Sequence, residues 1–343
     1  MKKFKKIISL FILGILMSTF VVGCGSNNVE SKDNKVTVVD QLGREVELDG
    51  TPEKIISSYY ISTSLLINLG VQDKLVGIEA KAKTREMYKK VAKELIDLPA
   101  VGTSKEINIE ECANLNPDLV IIPTRLKEFI PKFEELNIPV IAIEPETLDQ
   151  FKETVKLIGK AVGKEEKANK LVNYYDDTIS KVKELNKNLT EKQNVYLAGS
   201  DSVLKTCTSK MYQNYMFEVC GGENVTKELT DGYWTTISVE ELVKKNPDVI
   251  YMVGYASYSK DDILKDERLK GINAIKNNKI YVFPSTLEAW DYPTPSSMLG
   301  ILWLENNLHP DLYSKEDYIK DAKDFYKEFY DIEVSEEELG LWN

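Results

Sequence analysis

Tyrosine, tryptophan, lysine and arginine recur where short apolar runs of this sequence end. Tyr59 and Tyr60 follow Ile55 to Ser58. Lys81, Lys83 and Arg85 follow Leu75 to Ile78, and Thr124 and Arg125 follow Leu119 to Ile122. Later in the chain come Lys205, Thr206 and Trp234, then Tyr255 and Tyr258. Trp290, Asp291 and Tyr292 follow Ile280 to Phe283. In α/β proteins ligands sit in the crevice beyond the carboxyl ends of the strands, so these residues are expected to meet in one cleft. Aromatic faces beside cations suit a ligand with flat rings and net negative charge. Trp234 and Trp290 are the sharpest candidates, because a tryptophan on a loop needs a reason to be there. Tyr59 or Tyr60 with Glu144 or Asp291 offers a second chemistry, hard oxygen ligation of iron.

Catalytic chemistry finds little support. His309 is the single histidine, which excludes every His-cluster metal site and leaves a Ser-His-Asp triad only that residue. It lies in Asn307-Leu308-His309-Pro310, which reads as a helix end before a proline. Gly159 to Lys164 lacks the spacing of a phosphate loop and has no Ser or Thr after the lysine. With 55 acidic against 44 basic residues the net charge is −11, which argues against nucleic acid as partner. No catalytic residue, cofactor or resident metal is expected.

Strand and helix patterns must position the candidates. Val36 to Asp40 and Glu45 to Leu48 read as a hairpin around Leu42-Gly43-Arg44. Buried strands are expected at Ile55–Ser58, Leu75–Ile78, Leu119–Ile122 and Val140–Ile143, with helices between them at 62–69, 84–96 and 126–136. Val195–Ala198, Val249–Val253 and Ile280–Phe283 repeat the pattern. Alternation of this kind makes a mostly parallel sheet covered on both faces.

An internal repeat doubles the unit. Ile107-Asn108-Ile109-Glu110-Glu111 precedes Asn116-Pro117-Asp118-Leu119-Val120-Ile121. Ile237-Ser238-Val239-Glu240-Glu241 precedes Asn246-Pro247-Asp248-Val249-Ile250 at the same spacing, 130 residues on. Two similar lobes explain that distance, whereas a solenoid would have a shorter period. Between them, 148–187 is rich in helix formers, and Lys164 to Leu185 as helix would run about 33 Å. The fold class expected is therefore α/β, with two Rossmann-like lobes joined by one long rigid helix. The first lobe is assigned to 36–147 and the second to 188–343. Asn108 and Ser238 read as N-caps, with Glu111 and Glu241 returning to the cap as in a capping box. Glu110 and Glu240 are then free to point outward.

The N-terminus carries an address. Four lysines within Met1–Lys6 precede an apolar stretch from Ile7 to Val22, the pattern of a signal peptide over 1–23. Val21-Val22-Gly23-Cys24 resembles a bacterial lipobox, in which Cys24 is acylated. Removal of the leader lysines takes the charge from −11 to −15. Residues 24–35 form a polar tether, so the body is expected on the extracytoplasmic face of the cell membrane. Cys112, Cys207 and Cys220 remain, an odd number. A Cys207–Cys220 disulfide stays open at this stage, and Cys112 reads as a core residue.

These segments resemble the helical-backbone class of periplasmic binding proteins for iron–siderophores, haem and vitamin B12. The similarity runs through Val38-Val39-Asp40-Gln41-Leu42-Gly43-Arg44-Glu45-Val46, Thr51-Pro52-Glu53-Lys54-Ile55-Ile56 and both Asn-Pro-Asp repeats. It continues in Cys220-Gly221-Gly222-Glu223-Asn224-Val225 and Pro293 to Leu299. The resemblance implies a lipoprotein that delivers a small ligand to an ABC permease dimer with its cytoplasmic ATPase. It implies a ferric siderophore or related chelate as ligand, with cobalamin, haem or a molybdate-type oxyanion as alternatives. It implies ligand contacts at Trp234 and Lys81, joining the strand-end candidates Tyr59, Tyr60, Arg125, Lys205, Tyr255, Trp290 and Tyr292. It further implies that Glu110 and Glu240 seat against arginines of the permease. A membrane-anchored enzyme is the competing class, and it would need a nucleophile beside a base.

Overall fold

The computed structural model describes residues 35–284 and 286–341. The expected leader, the lipid-attachment residue Cys24 and the tether before Lys35 lie outside the described residues. The body opens with a hairpin of β1 (Val36–Val39) and β2 (Glu45–Leu48). Its turn is held by Asp40, whose carboxylate accepts the Leu42 and Arg44 amides and the Arg44 guanidinium.

The first lobe is a sheet of β3 (Ile55–Ser57), β4 (Leu75–Glu79), β5 (Ala100–Gly102), β6 (Leu119–Pro123) and β7 (Val140–Ile143). Their order is β5-β4-β3-β6-β7, and every pairing is parallel. β6 and β7 are buried along their whole length, as strands covered on both faces must be. The second lobe is built on β8 (Gln193–Ala198), with β9 (Lys205–Cys207), β10 (Gly222–Asn224), β11 (Trp234–Thr236), β12 (Val249–Met252) and β13 (Ile280–Val282). The parallel order β10-β8-β12-β13 forms its sheet, and β9 pairs with β11 as a separate ribbon. Each main sheet reverses its strand order once, at β3/β6 and at β8/β12, which are the places where α/β sheets leave a crevice.

The helices between are α1 (Tyr60–Leu69), α2 (Glu86–Val91), α3 (Ile109–Asn114) and α4 (Ile130–Glu135). The connector follows as α5 (Leu148–Ala161) and α6 (Glu165–Asn186). The second lobe carries α7 (Tyr212–Val219), α8 (Val239–Lys245), α9 (Lys260–Lys265) and α10 (Asn273–Lys276), and the chain ends with α11 (Ser297–Leu308) and α12 (Lys315–Tyr330).

The internal repeat has one structural meaning in both copies. Asn116 and Asn246 sit in left-handed backbone at φ 49° and 44° and end their helices, a conformation asparagine tolerates. The next aspartate ties the incoming strand to its neighbour. The Asp118 amide bonds the Lys54 carbonyl at 2.8 Å, and the Asp248 amide bonds the Asn194 carbonyl at 2.8 Å. Each carboxylate then accepts a backbone amide from the same neighbouring segment.

The connector is two helices. A capping box of Thr147 and Gln150 starts α5, and Gly163 at φ 64° breaks the chain before α6, a geometry that favours glycine. α5 packs on the hairpin and on α6, and α6 packs against α7 and α11. One apolar core runs through both lobes. It joins Ile121 and Ile143 of the first sheet, Phe151 and Tyr175 of the connector, Leu197 and Tyr251 of the second sheet, and Leu302 and Phe325 near the C-terminus. The lobes are thus packed together through helices and not strung on a linker.

Candidate functional site

Tyr59 caps the turn out of β3 and Tyr60 begins α1, so the crevice at the β3/β6 switch opens on two adjacent rings with centroids 4.9 Å apart. The second lobe answers with Tyr292, 5.1 Å from Tyr60, and Tyr255, 5.7 Å from Tyr292. The Arg85 guanidinium lies 4.4 Å over the Tyr60 ring, within reach of a cation–π contact. These side chains border a cavity of about 490 Å³, with Lys81, Ser64 and Met87 from the first lobe and Leu287 and Glu288 from the second. Its size falls in the roughly 300–1,000 Å³ range of small-molecule sites. The loop that closes it, 286–292, is pinned across the lobes where the Met87 amide bonds the Leu287 carbonyl at 3.1 Å.

A second cluster lies on the other flank of Tyr59. Arg125 stands 5.0 Å over that ring and 3.4 Å from Glu146. Glu144 accepts the Thr124 hydroxyl at 3.0 Å, and Tyr233 of the second lobe reaches Glu144 at 3.5 Å. Tyr59 itself is buried, and that burial pushes its phenol up to about 12.

Two candidates are placed elsewhere. Trp290 is 1% exposed and donates its indole N–H to the Tyr326 hydroxyl at 3.2 Å. It belongs to the core beneath the loop and not to the cavity wall. Its burial reflects α12, whose arrival over the loop no local pattern announced. Trp234 is half-buried on β11 beside Lys205, whose amine lies 5.8 Å from its ring. The ring packs so closely on Gly199 that a Cβ there would meet it at 2.9 Å. Tyr60, Lys81, Tyr255 and Tyr292 are therefore brought together. Tyr59 and Arg125 adjoin them, while Trp234, Lys205 and Trp290 stand apart.

The cleft is less basic than the sequence led one to expect. Arg85 donates to Glu79 at 3.2 Å and the adjoining Arg125 meets Glu146, while Lys205, which stands apart, meets Asp201 at 2.5 Å. Glu79 ends β4 and is fixed further by the Thr63 hydroxyl at 2.7 Å and the Tyr88 hydroxyl at 2.9 Å. Burial raises its pKa, against which Arg85 pulls down. Burial works against the Arg85 charge too, but the groups around it hold its pKa up. With the phenols protonated at neutral pH, Glu79 is the charge that does so. Glu79, Tyr88, Glu288 and the central place of Arg85 were missed from sequence. The available signal was a carboxylate at the end of a buried strand, where an acid needs a partner.

One buried acid lines the other wall and a second lies behind it. Glu288 accepts the Ser296 hydroxyl at 2.5 Å, and its burial raises its pKa. Asp291 accepts the Tyr255 hydroxyl at 3.0 Å, and burial pushes its carboxyl up to about 6. The Tyr60 phenol is held well above its ordinary value by burial, so it is a neutral hydrogen-bond donor, whereas the Tyr255 phenol has its one O–H committed to Asp291. Glu144 faces the Arg125 flank and Asp291 lies behind Tyr255, so the two alternative acids weighed for iron sit beside different tyrosines. Among the described residues no group of three or more His, Cys, Asp or Glu could hold a metal ion.

The repeated helix starts match their expectation in part. The Asn108 side chain accepts the Glu111 amide, and Ser238 accepts the Glu241 amide, both at 3.1 Å. The return bond expected from the Glu111 and Glu241 side chains does not form among the described residues. Reciprocal boxes occur instead at Thr147/Gln150 and Ser259/Asp262. Glu110 and Glu240 are exposed one position earlier. The cap bonds, from its own backbone and from Ser238, lower the Glu240 pKa.

Cys112, Cys207 and Cys220 are free thiols in the core. Burial pushes the Cys207 thiol up to about 12 and the Cys220 thiol well above its ordinary value. The His309 ring bonds the Cys220 carbonyl at 3.0 Å, so its contact is with backbone and not with a nucleophile.

A sequence model described as periplasmic binding protein matches residues 55–287. A molybdate-binding protein of Haemophilus influenzae is 26% identical over 324 residues, 85% of this chain and 90% of its own. A petrobactin-binding protein of Bacillus subtilis is 25% identical over 302 residues, 83% of this chain and 92% of its own. Among solved structures, a periplasmic solute binding protein from Veillonella parvula aligns at a TM-score of 0.78 and 29% identity, covering 89% of this chain and 95% of that one.

Proposed function

The chain belongs to the periplasmic binding protein family, and we propose that it is the lipid-anchored receptor of an ABC importer, taking an iron chelate between its lobes and handing it to the permease. The observation that carries the ligand site is the row of phenols from both lobes, Tyr60, Tyr292 and Tyr255, around the cavity beside Arg85. Rings of this kind present flat faces and hydroxyl donors to a chelate of matching size. The petrobactin-binding relative supports an iron chelate. A molybdate-type oxyanion is the second reading, favoured by the Haemophilus relative, but a cavity of about 490 Å³ leaves most of its volume unused by so small an ion.

Delivery is assigned to Glu110 and Glu240, one exposed carboxylate per lobe at matching positions of the repeat. Anchoring is assigned to Cys24. Tryptophan fluorescence quenching and native mass spectrometry against ferric siderophores, haem, cobalamin and molybdate test the ligand. Binding of a ferric siderophore that is lost on Arg85→Ala or Tyr292→Ala supports the reading. Binding of haem or cobalamin alone replaces the ligand, and binding untouched by either substitution moves the site.

A further inference from the structure

Asp291 stands fully buried behind Tyr255, whose ring borders the cavity and is 44% exposed. Tyr255 donates its hydroxyl to Asp291 Oδ2 at 3.0 Å, and the Gln213 amide of α7 reaches the same oxygen at 3.5 Å. Asp291 Oδ1 and Gln213 Oε1 are both buried and meet no donor among the described residues. Two facing groups that each leave an acceptor unbonded lack one hydrogen between them. The arrangement recurs where the connector ends. Asn186 donates to Glu305 Oε2 at 2.8 Å, while Glu305 Oε1 and Asn186 Oδ1 meet no donor among the described residues. A carboxylic acid beside a carboxamide closes such a pair. The amide N–H bonds one carboxyl oxygen, and the acid O–H bonds the amide oxygen. An ionised carboxylate has no hydrogen to give, and holding it away from water without a cation is costly.

We propose that Asp291 is a positioning residue, which takes up a proton that it shares with Gln213 and in that form holds the Tyr255 ring at the cavity border. Burial pushes the Asp291 carboxyl up to about 6, and no cation among the described residues acts against it. The groups that face it are Gln213 from α7, Tyr255 from the segment after β12, and Tyr292 from its own loop. Arg85 and Glu288 act one ring further out, on Tyr292. The pair is therefore complete below about pH 6. Above it, Asp291 Oδ1 and Gln213 Oε1 are two acceptors set against each other, and Tyr255 faces a charge. The consequence for binding rests on the cavity being the ligand site, whereas the shared proton does not.

The test uses the ligand-free protein from about pH 5 to 8, above the ordinary aspartate range. Infrared spectra should show the carbonyl stretch of a protonated acid that shifts on carbon-13 labelling of aspartate and is lost with a midpoint near 6. The Tyr255 ring-carbon resonance, assigned by its loss in Tyr255→Phe, should move with the same midpoint. Asp291→Asn supplies an amide that accepts from Tyr255 and donates to Gln213. Tyr255 should then keep its low-pH signal throughout, and the acid band should be absent. Asp291→Ala should lose that signal. An aspartate that served packing alone would leave Tyr255 without a pH profile. The proposal is overturned if wild type shows no labelled acid band, as a carboxylate bridged to Gln213 by water would give, or if Tyr255 titrates in Asp291→Asn as it does in wild type. Should Asp291→Ala not fold, the wild-type band and the Asp291→Asn profile decide. Failure of every ferric siderophore to bind would strike the ligand assignment alone and leave these readings standing.

Discussion

The Glu79 carboxylate holds the Arg85 guanidinium at 3.2 Å, and the same guanidinium lies 4.4 Å over the Tyr60 ring. A strand end thereby aims a cation at the cavity. The pair is mostly buried, with side-chain exposures of 6% and 23%. Removing one partner of such a pair leaves a charge without compensation, which typically costs about 3–5 kcal/mol. Glu79→Ala is expected to lower stability by about that amount in urea titration, and Glu79→Gln by less, because the Thr63 and Tyr88 hydroxyls can still bond an amide. Equal loss in both variants would show that the charge is immaterial.

Trp290 is expected to act on stability. Trp290→Ala should destabilise by about 3–5 kcal/mol through the cavity it leaves. Tyr326→Phe removes the acceptor of the indole N–H and should cost about 1–3 kcal/mol. Denaturation midpoints check both, and a Trp290→Ala protein of full stability with impaired binding would return this residue to the ligand.

Glu305 makes stability depend on pH. Its side chain is fully buried on α11 against Asn186 at 2.8 Å, and burial pushes its carboxyl up to about 7. An acid whose pKa is higher folded than unfolded stabilises the fold below the unfolded value and loses that contribution as pH rises through the folded one. Stability is expected to fall from about pH 4.5 to pH 7 by on the order of 3 kcal/mol from this group. Glu79, Glu288 and Asp291 add slopes of the same sign. Glu305→Gln should flatten the profile relative to wild type, and parallel profiles would rule Glu305 out as the source.

Charge reversal at Glu110 and Glu240 should abolish uptake while ligand affinity stays within about twofold. Two separated contacts act as one bivalent grip, so either single reversal should already weaken the complex steeply. Transport assays beside binding assays separate the steps. A double variant that still supports uptake removes the docking role.

The shared core predicts a small conformational change. Hinge opening wide enough to alter the envelope would part Phe151, Tyr175, Leu302 and Phe325 from their neighbours in one apolar cluster. Small-angle scattering with and without ligand should give nearly equal radii of gyration, and a large decrease on binding would contradict the packing.

The sequence by itself determined the α/β class, the two lobes and several of the strand-end residues that border the cavity, because each is written in local order. Buried parallel strands read as runs of Val, Ile and Leu, and the repeat placed Asn116 and Asn246, Asp118 and Asp248, and both helix caps at the spacing the folded lobes use. Tertiary structure alone decided the depth and charge of the site. Trp290 reads as a loop residue until α12 covers it. α11, buried on every side over its first turns, shows no polar face for periodicity to detect. Arg85 finds Glu79 six residues away and Tyr292 more than 200 residues on, and that meeting pairs the half-buried cation of a basic stretch whose two lysines stay exposed. Pairing of charges depends on distance in space, which side-chain order along the chain does not encode.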